Sequence, residues 1–207
     1  ALSTRHSSLS THRSALDAEG GCGVTGFACS IPVRGRHIYE PSIHMRNRGN
    51  GTGGGIAAVG LVPGDLGVSP RVLDEDYILQ IALLDPSARG PVEREFIEPH
   101  FAIDHATMVP TVGDWHDVPL LESRPPDVMR YFVRVKTPVL EQFIRDNHLE
   151  ALKPREAEDE FVYQNSYRLN QRFYASLGEK QAFVLSHGRN LLILKIVGYA
   201  EQVVQYY

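Results

Sequence analysis

The sequence predicts a layered α+β domain, and three observations support that class. Two apolar segments near the end of the chain, residues 181–185 and 191–197, flank the turn-forming residues 186–190, a pattern typical of a β-hairpin. A second pair of apolar segments, residues 24–31 and 56–62, brackets a charged and glycine-rich stretch. Between the two pairs lie segments whose apolar residues have helical spacing. Strand pairs separated by helical insertions favour an α+β arrangement.

Composition places the chain among ordinary globular proteins. Its 207 residues suffice for one domain with a sizeable core, and 43% of them are hydrophobic and 22% charged. A formal net charge of -4 argues against a nucleic-acid surface, and no apolar run reaches the length needed to span a membrane. Two cysteines, Cys22 and Cys29, cannot build a disulfide framework and lie too far apart on one predicted strand to bridge. We therefore expect a reducing, cytoplasmic compartment.

Residues 1–21 differ from the rest of the chain. They are rich in Ser, Thr, Arg and His, and acids occur only at Asp17 and Glu19. Three interpretations stay open: a disordered leader, a transit-like targeting segment, and a pro-segment that is removed before Cys22. All three predict that the folded domain comprises residues 22–207.

The N-terminal part of that domain predicts two strands around a helix and a loop. Residues 24–31 are small and apolar, which predicts a buried strand ending at Pro32. Residues 35–45 predict a short helix. Residues 49–55 contain five glycines in seven positions and predict a loop. Residues 56–62 then predict a second buried strand.

The middle of the chain carries weaker patterns. Asp74 is a plausible N-cap, and the apolar spacing over residues 77–84 predicts a helix. Residues 93–101 predict a shorter helix, and residues 102–126, with many prolines, predict irregular structure with short strands. Imperfect alternation over residues 130–136 predicts a half-exposed strand.

Three further helices are predicted towards the end of the chain. Thr137 and Pro138 form a helix start, with Thr as N-cap and Pro at the first helical position. The segment that follows residue 156 is ambiguous, and we favour a helix from about Val162 onward. Residues 199–207 predict the opening of a last helix.

Cys22 is the candidate nucleophile of the sequence. A thiol attacks a carbonyl as the thiolate, so it needs a base or a cationic neighbourhood. Arg48 is a candidate cation, and Gly49 beside it permits close backbone approach. In the alternative interpretation, Cys22 is a small buried residue of a core strand, as we expect for Cys29, and Arg48 is a solvated charge at a helix end.

Other chemistries find less support. The glycine-rich loop is compatible with phosphate binding, but it lacks the Gly-Lys-Ser/Thr of a P-loop and opens a strand. A serine triad is unsupported because the chain has no GxSxG element. The spacings of the histidines match no zinc pattern, so we interpret them as surface loop residues and predict no metal site. The residues considered as metal ligands in this way are His100, Asp104, His105, Asp114, His116 and Asp117.

Two parts of the chain resemble class II glutamine amidotransferases. Their mature chains open with Cys-Gly-Ile/Val-x-Gly, which residues 22–26 (CGVTG) match, and an Arg-Gly pair follows the first helix, as Arg48 and Gly49 do here. The run NRGNGTGGG at residues 47–55 is similar to the amidotransferase subunit of archaeal-type glutamate synthases. A second similarity lies at residues 182–199, and the resemblance as a whole extends from Cys22 to Tyr207.

The resemblance implies a fold and a catalytic group. The fold is that of N-terminal-nucleophile (Ntn) hydrolases, an αββα four-layer sandwich of antiparallel sheets, here incomplete at its C-terminal end. Cys22, Arg48 and Gly49 take the catalytic positions. The base is the α-amine of the cysteine, whose pKa of roughly 7.7–8.0 suits it to accept a thiol proton. That mechanism requires cleavage between Gly21 and Cys22.

The resemblance also implies a reaction and its partners. Glutamine is the substrate, a cysteinyl thioester is the intermediate, and the released ammonia passes to other glutamate synthase subunits. The domain needs no cofactor of its own, whereas FMN and iron–sulfur clusters are expected in the partner synthase domains. We expect no nucleic-acid or membrane partner.

Part of the family pattern has no counterpart here. The residues that bind the glutamine carboxylate and amine and complete the oxyanion hole lie, in the family, downstream of the element matching residues 198–207. The sequence therefore predicts a truncated amidotransferase domain that lacks a complete site on its own. A non-catalytic Ntn-like assembly or regulatory module of a synthase complex is the alternative, and an Ntn hydrolase acting on another amide is a third.

Overall fold

The computed structural model describes residues 22–49, 51–175 and 177–207, and residues 1–21, with their three interpretations, lie outside the described part. Within these ranges the chain forms six β-strands and six α-helices. The strands are β1 Gly54–Val59, β2 Tyr77–Leu83, β3 Phe101–Met108, β4 Asp127–Val135, β5 Ala182–Gly188 and β6 Leu191–Ile196. The helices are α1 Tyr39–His44, α2 Pro70–Glu75, α3 Arg89–Val92, α4 Thr137–Asn147, α5 Pro154–Phe173 and α6 Ala200–Tyr206. Short 3-10 turns precede and follow α1, at Gly35–Ile38 and Arg46–Arg48.

The strands form two antiparallel sheets. The larger has the order β3-β4-β2-β5, and the smaller consists of β1 and β6. The α+β class predicted from the sequence is confirmed. None of the described helices is both long enough and apolar enough to cross a membrane.

One face of the larger sheet carries the main core. Leu79, Ile81 and Tyr131 from its two central strands are each at most 2% exposed and pack against the helices. Helix α5 contributes Leu169 and Phe173 at a spacing of four residues, which places both on one helix face. This burial fixes α5 over β5 and explains why both central strands are apolar on this side.

Strand β2 corrects the prediction of a helix over residues 77–84. The segment is a central strand in which all seven residues are buried. A strand covered on both faces has no polar alternation, so its apolar run also fits a helical stripe. The helix lies just before it, at Pro70–Glu75, and its cap is Ser69, whose Oγ accepts the Val72 N–H at 3.3 Å, rather than Asp74.

The predicted strand over residues 24–31 is also wrong. The segment forms no strand, and Val24 and Ile31 are 90% and 69% exposed. Cys29, expected in the core, is exposed as well. A strand is stable only when a neighbour satisfies its backbone groups. In the described part of the chain β1 pairs with β6 alone, and no strand pairs with this segment.

The last two strands lie where the sequence predicts them, but they do not form a hairpin. Strand β5 pairs with β2 and β6 pairs with β1, so the two belong to different sheets. The turn between them is tight, with Asn190 at φ 48° and its Oδ1 accepting the Leu61 N–H at 2.8 Å. Arg189 of the same turn stacks on the Tyr77 ring at 3.8 Å and pairs with Glu158 of α5. These long-range contacts direct β6 away from β5.

The remaining predictions differ mainly in bounds. The strand predicted as buried at residues 56–62 is β1, which begins at Gly54 and alternates between half-buried and exposed residues. The strand predicted as half-exposed at residues 130–136 is the mostly buried β4. Helix α5 begins eight residues before Val162, whereas the short helix within residues 35–45 and the last helix are confirmed. Helix α4 begins where it was predicted, but its N-cap is Lys136 and Thr137 is its first helical residue, so the assignment of Thr137 as N-cap is wrong. Part of the helix predicted at residues 93–101 is present as a π-helical turn at Glu93–Ile97.

Candidate functional site

The candidate nucleophile lies in the exposed segment that precedes α1. Cys22 is exposed and its thiol is free. Its neighbour Gly23 fits closely against the end of α1, because a Cβ built on Gly23 would lie 3.0 Å from Met45 Cβ and 3.2 Å from Arg48 Cβ. The structure therefore brings the Cys22–Gly23 peptide against the turn that carries Arg48, although the two are about 25 positions apart in the sequence.

Arg48 and Gly49 lie at the end of the 3-10 turn that follows α1. Arg48 is exposed, and in the described part of the chain its guanidinium has neither an ion pair nor a hydrogen bond. The Gly49 N–H donates to Arg46 O at 3.2 Å, which closes the turn. The three residues singled out from the sequence thus share one surface region, with the cation exposed to solvent beside the cysteine segment.

An ion pair that the sequence does not predict holds this turn in place. Arg46 Nε donates to Glu201 Oε1 at 2.8 Å, and a terminal guanidinium nitrogen lies 2.6 Å from the same oxygen. Glu201 is 1% exposed and belongs to the first turn of α6, where the helix dipole favours a carboxylate. The Arg46 guanidinium also lies 5.2 Å from the centre of the Tyr199 ring. The Arg48 turn is therefore anchored to the start of α6.

The glycine run packs against the same start of α6. A Cβ on Gly54 would lie 2.5 Å from the Tyr199 carbonyl carbon and 2.6 Å from Ala200 N. Gly51 has a φ of +73°, and a Cβ there would lie 2.9 Å from the Tyr199 ring. Glycine is required at both positions because the strand and the helix start approach each other closely. Helix packing, and not a phosphate, accounts for these two glycines.

Helix α1 is fixed to α6 by side-chain contacts. Ser42 of α1 is 3% exposed, and its Oγ donates within the helix start, to Ile38 O at 2.7 Å. Gln205 Nε2 donates to the Tyr39 hydroxyl at 3.1 Å. Both helices therefore form a support beneath the segment that carries Cys22 and Arg48.

Acid–base partners for the cysteine are missing from the described residues. No side chain in the ranges 22–49, 51–175 and 177–207 hydrogen-bonds to the Cys22 thiol. The arrangement therefore provides a free, exposed thiol whose neighbour Gly23 lies against the Cβ of the exposed Arg48. A nucleophilic role of Cys22 would require a base from its own α-amine or from outside these residues.

The histidine and aspartate side chains of the middle region are engaged elsewhere. Asp104 accepts from Arg71 at 2.9 Å and from Arg134 at 3.1 Å, and these guanidinium groups hold the pKa of its carboxyl below the ordinary value. His116 Nδ1 lies 2.7 Å from Asp114 Oδ1. Within the described ranges, no three His, Cys, Asp or Glu side chains are grouped so that they could hold a metal ion.

A second feature that the sequence does not indicate is a cavity of about 300 Å³. It lies between α5 and the β5–β6 corner, which is the region where the end of β5 turns at residues 189–190 into the start of β6. Ser166 and His187 line it, and neither Ser166 Oγ nor His187 Nδ1 has a hydrogen-bond partner in the described part of the chain. Burial lowers the pKa of His187, which favours the neutral imidazole. The residues that line this cavity belong to α5, β5 and β6, and none of them belongs to the Cys22 segment or to the Arg48 turn. The cavity is therefore a separate feature.

No protein-family model matches the chain. The chain is 26% identical over 190 residues to an uncharacterised protein of Archaeoglobus fulgidus, and the match covers 90% of this chain and 42% of that protein. The chain thus spans less than half of the length of this relative.

Proposed function

We propose that residues 22–207 belong to a class II glutamine amidotransferase domain of glutamate-synthase type, with Cys22 as the nucleophile. The observation that carries this proposal is the contact of the Cys22–Gly23 peptide with the Met45–Arg48 turn. Two sequence-distant parts of one motif, CGVTG and Arg48-Gly49, meet there on one surface. A motif whose halves meet in space is better evidence of a site than either half alone.

The proposed fold is the αββα sandwich of Ntn hydrolases. Two antiparallel sheets that are connected through the β5–β6 corner support it, as do the helices packed on each sheet. The exposed position of Cys22 is compatible with a nucleophile that a substrate reaches from solvent. In this arrangement Arg48 and Gly49 flank the substrate side of the cysteine.

The proposed reaction proceeds in two steps. The α-amine of Cys22 takes the thiol proton, and the thiolate attacks the side-chain amide carbon of glutamine. The C–N bond breaks, ammonia leaves with the transferred proton, and a thioester remains. Water then hydrolyses the thioester to glutamate and the free thiol. Ammonia passes to partner subunits that hold FMN and iron–sulfur clusters, and the proposed compartment is the cytoplasm.

Covalent labelling tests the role of Cys22. The protein isolated from its host, released with Cys22 as its first residue, is treated with an electrophilic glutamine analogue, 6-diazo-5-oxo-norleucine, and analysed by peptide mass spectrometry. We expect the adduct on Cys22, its loss in Cys22→Ala, and its retention in Cys29→Ala. Cys29 is the matched control because it is a second free, exposed thiol of the same segment.

Two results would contradict the proposal. Equal labelling of Cys22 and Cys29 would reflect general thiol reactivity, without a glutamine site. Absence of ammonia release from glutamine by the processed protein isolated from its host would exclude a glutaminase.

The exposed position of Cys22, without a partner for its thiol among the described side chains, also favours a second candidate, a non-catalytic Ntn-like assembly module. This candidate predicts an intact Gly21–Cys22 bond in the native protein and binding to a synthase subunit without ammonia release. N-terminal sequencing of the native protein separates the candidates, because the catalytic mechanism needs Cys22 as the first residue.

A further inference from the structure

A row of polar side chains crosses the larger sheet on the face opposite α5. Thr107, Arg130, Gln80 and Ser186 are cross-strand partners on β3, β4, β2 and β5, so their side chains share one face. On the two central strands, the neighbouring positions two residues away are apolar and buried. They consist of Ile78 and Phe132 on one side and of Ala82 and Val128 on the other.

The centre of this row is buried and rich in donors. Gln80 is 0% exposed, and its Oε1 accepts from Ser186 Oγ and from the Ile193 N–H, both at 3.0 Å. Those two bonds use the acceptor capacity of the Gln80 side chain. Its Nε2 is buried and has no acceptor in the described ranges.

Arg130 is the unusual member of the row. It is 7% exposed, its Nε is buried without an acceptor, and no carboxylate among the described residues pairs with it. Arg189 is also largely buried, but it pairs with Glu158 and Asp159. Burial without an anion lowers the pKa of Arg130, yet arginine keeps its proton in proteins. A desolvated cation without a counter-ion is costly, so buried charges are normally paired.

We propose that this row binds a small free carboxylate, with one oxygen on the Arg130 guanidinium and the other on Gln80 Nε2. The Arg130 guanidinium and Gln80 Nε2 are both hydrogen-bond donors. They therefore favour an anion, which only accepts, over a cation or over a neutral ligand that also donates. A single positive charge matches a monoanion, and the planar guanidinium matches the two oxygens of a carboxylate. The buried apolar side chains on both sides restrict any ligand to a small one, of the formate or acetate type. The inference does not rest on the proposed function, because Cys22 and the Arg48 turn contribute no group to this row.

Thermal unfolding with sodium formate as the probe tests this site. A ligand that binds only the folded state raises the Tm steadily with each tenfold increase in concentration above its Kd. We expect this rise for the native sequence in formate, a much smaller one in sodium chloride at equal ionic strength, and none for Arg130→Met in formate. Arg124→Met is the matched control, since Arg124 is a half-exposed arginine just before β4 that already pairs with Asp127 at 2.7 Å. This variant should keep the formate response.

Gln80→Glu provides a second variant that does not depend on the folding of Arg130→Met. The glutamate keeps an oxygen for Ser186 and Ile193 and offers its second oxygen to Arg130. We expect a higher Tm without formate and loss of the formate response. An unchanged response in Gln80→Glu or in Arg130→Met, equal effects of chloride and formate, or a native Tm independent of formate would each overturn the proposal. The last result, together with a destabilised Arg130→Met, would mean that a protein group already pairs the guanidinium.

Discussion

Asp76 gives the sharpest prediction of a pH-dependent stability. Its side chain is 0% exposed just after α2, and neither carboxylate oxygen accepts a hydrogen bond from the described residues. Arg134 Nε lies 3.4 Å from Oδ1, which only partly offsets the loss of water. Burial, and then the negative charge of Asp104, raise the pKa of Asp76 to about 6. The carboxyl therefore holds its proton in the folded state where the unfolded chain has released it.

The sign of the effect follows from proton counting. Between about pH 4 and pH 6 the folded state binds more protons at Asp76, so the contribution of this group to stability rises as the pH falls. With a pKa of 3.8 in the unfolded chain and about 6 in the folded protein, the gain from pH 7 to pH 5 is about 1.3 kcal/mol. Above pH 7 both states are ionised, and the contribution is constant.

The comparison with Asp76→Asn isolates this contribution. His100 and His187 have pKa values lowered by burial, so their contributions fall as the pH drops through about 6.5 and oppose that of Asp76. We therefore expect the unfolding free energy of the native chain, minus that of Asp76→Asn, to rise by about 1.3 kcal/mol from pH 7 to pH 5. Urea unfolding followed by far-ultraviolet circular dichroism at pH 5, 6 and 7 measures both.

Asp85→Asn is the control for this series. Asp85 is partly exposed, and its pKa is lowered because it accepts from Ser87 at a helix start. This substitution should leave the change between pH 7 and pH 5 intact. A native-minus-Asp76→Asn difference that is flat or falls from pH 7 to pH 5 would refute the assignment of a raised pKa to Asp76.

Two substitutions test the support of the candidate site. Gly54→Ala should destabilise the fold by about 3 kcal/mol, because the new Cβ would meet the backbone at the start of α6. Gly53→Ala is the control, since no atom lies within 4 Å of its Cβ and only a small backbone effect is expected. Equal urea midpoints (Cm) of the two variants would contradict this prediction. Arg46→Met should cost about 3–5 kcal/mol, because Glu201 is left buried and unpaired. Arg172→Met is the control, since Arg172 also lies 5.2 Å from an aromatic ring but pairs with a half-exposed carboxylate. If Arg172→Met lowers the free energy of unfolding as much as Arg46→Met does, burial of the carboxylate partner does not determine the effect.

The helices with local signals were predictable from the sequence. Pro138 lies in the first turn of α4, although the N-cap is Lys136 and not Thr137, and the last helix begins next to Tyr199 as expected. Such starts depend on a few neighbouring residues whose caps and fixed φ values favour a helix anywhere. The turn predicted at residues 186–190 is present in shorter form, because β5 extends to Gly188 and only Arg189 and Asn190 form the turn. Short stretches of sequence therefore determine these parts of the fold.

Strand partners were not predictable, because they depend on residues far along the chain. Residues 24–31 have the composition of a buried strand, yet in the described part of the chain no strand offers them an edge. Residues 77–83 are buried on both faces, and this burial removes the alternation that would have distinguished a strand from a helix. Strands β5 and β6 fit a hairpin locally, but contacts with β2 and β1 separate them.

The candidate site shows the same division between local and distant information. Cys22, Arg48 and Gly49 were singled out through a resemblance, and the contact between Gly23 and Arg48 supports their proximity. Glu201 was not, because it lies 155 positions from Arg46 and nothing near either residue indicates a pair. Arg130 was not predicted as a buried residue either. Its local sequence is misleading, because a charged residue within a strand pattern suggests exposure, and only the structure shows that it is buried.

The contacts of α6 have a consequence for the chemistry of the distant N-terminal segment. Arg46 is held by Glu201, Gly51 and Gly54 lie against Tyr199 and Ala200, and the Cys22 segment lies on the turn that Arg46 begins. The position of Arg48 beside the Cys22–Gly23 peptide therefore depends on the last helix as well as on the backbone hydrogen bonds of the turn itself. Electrostatic help from a cation depends on its distance from the reacting thiolate. Weakening the start of α6 should thus lower the reactivity of Cys22 while leaving that of Cys29, which is free of these contacts, unchanged.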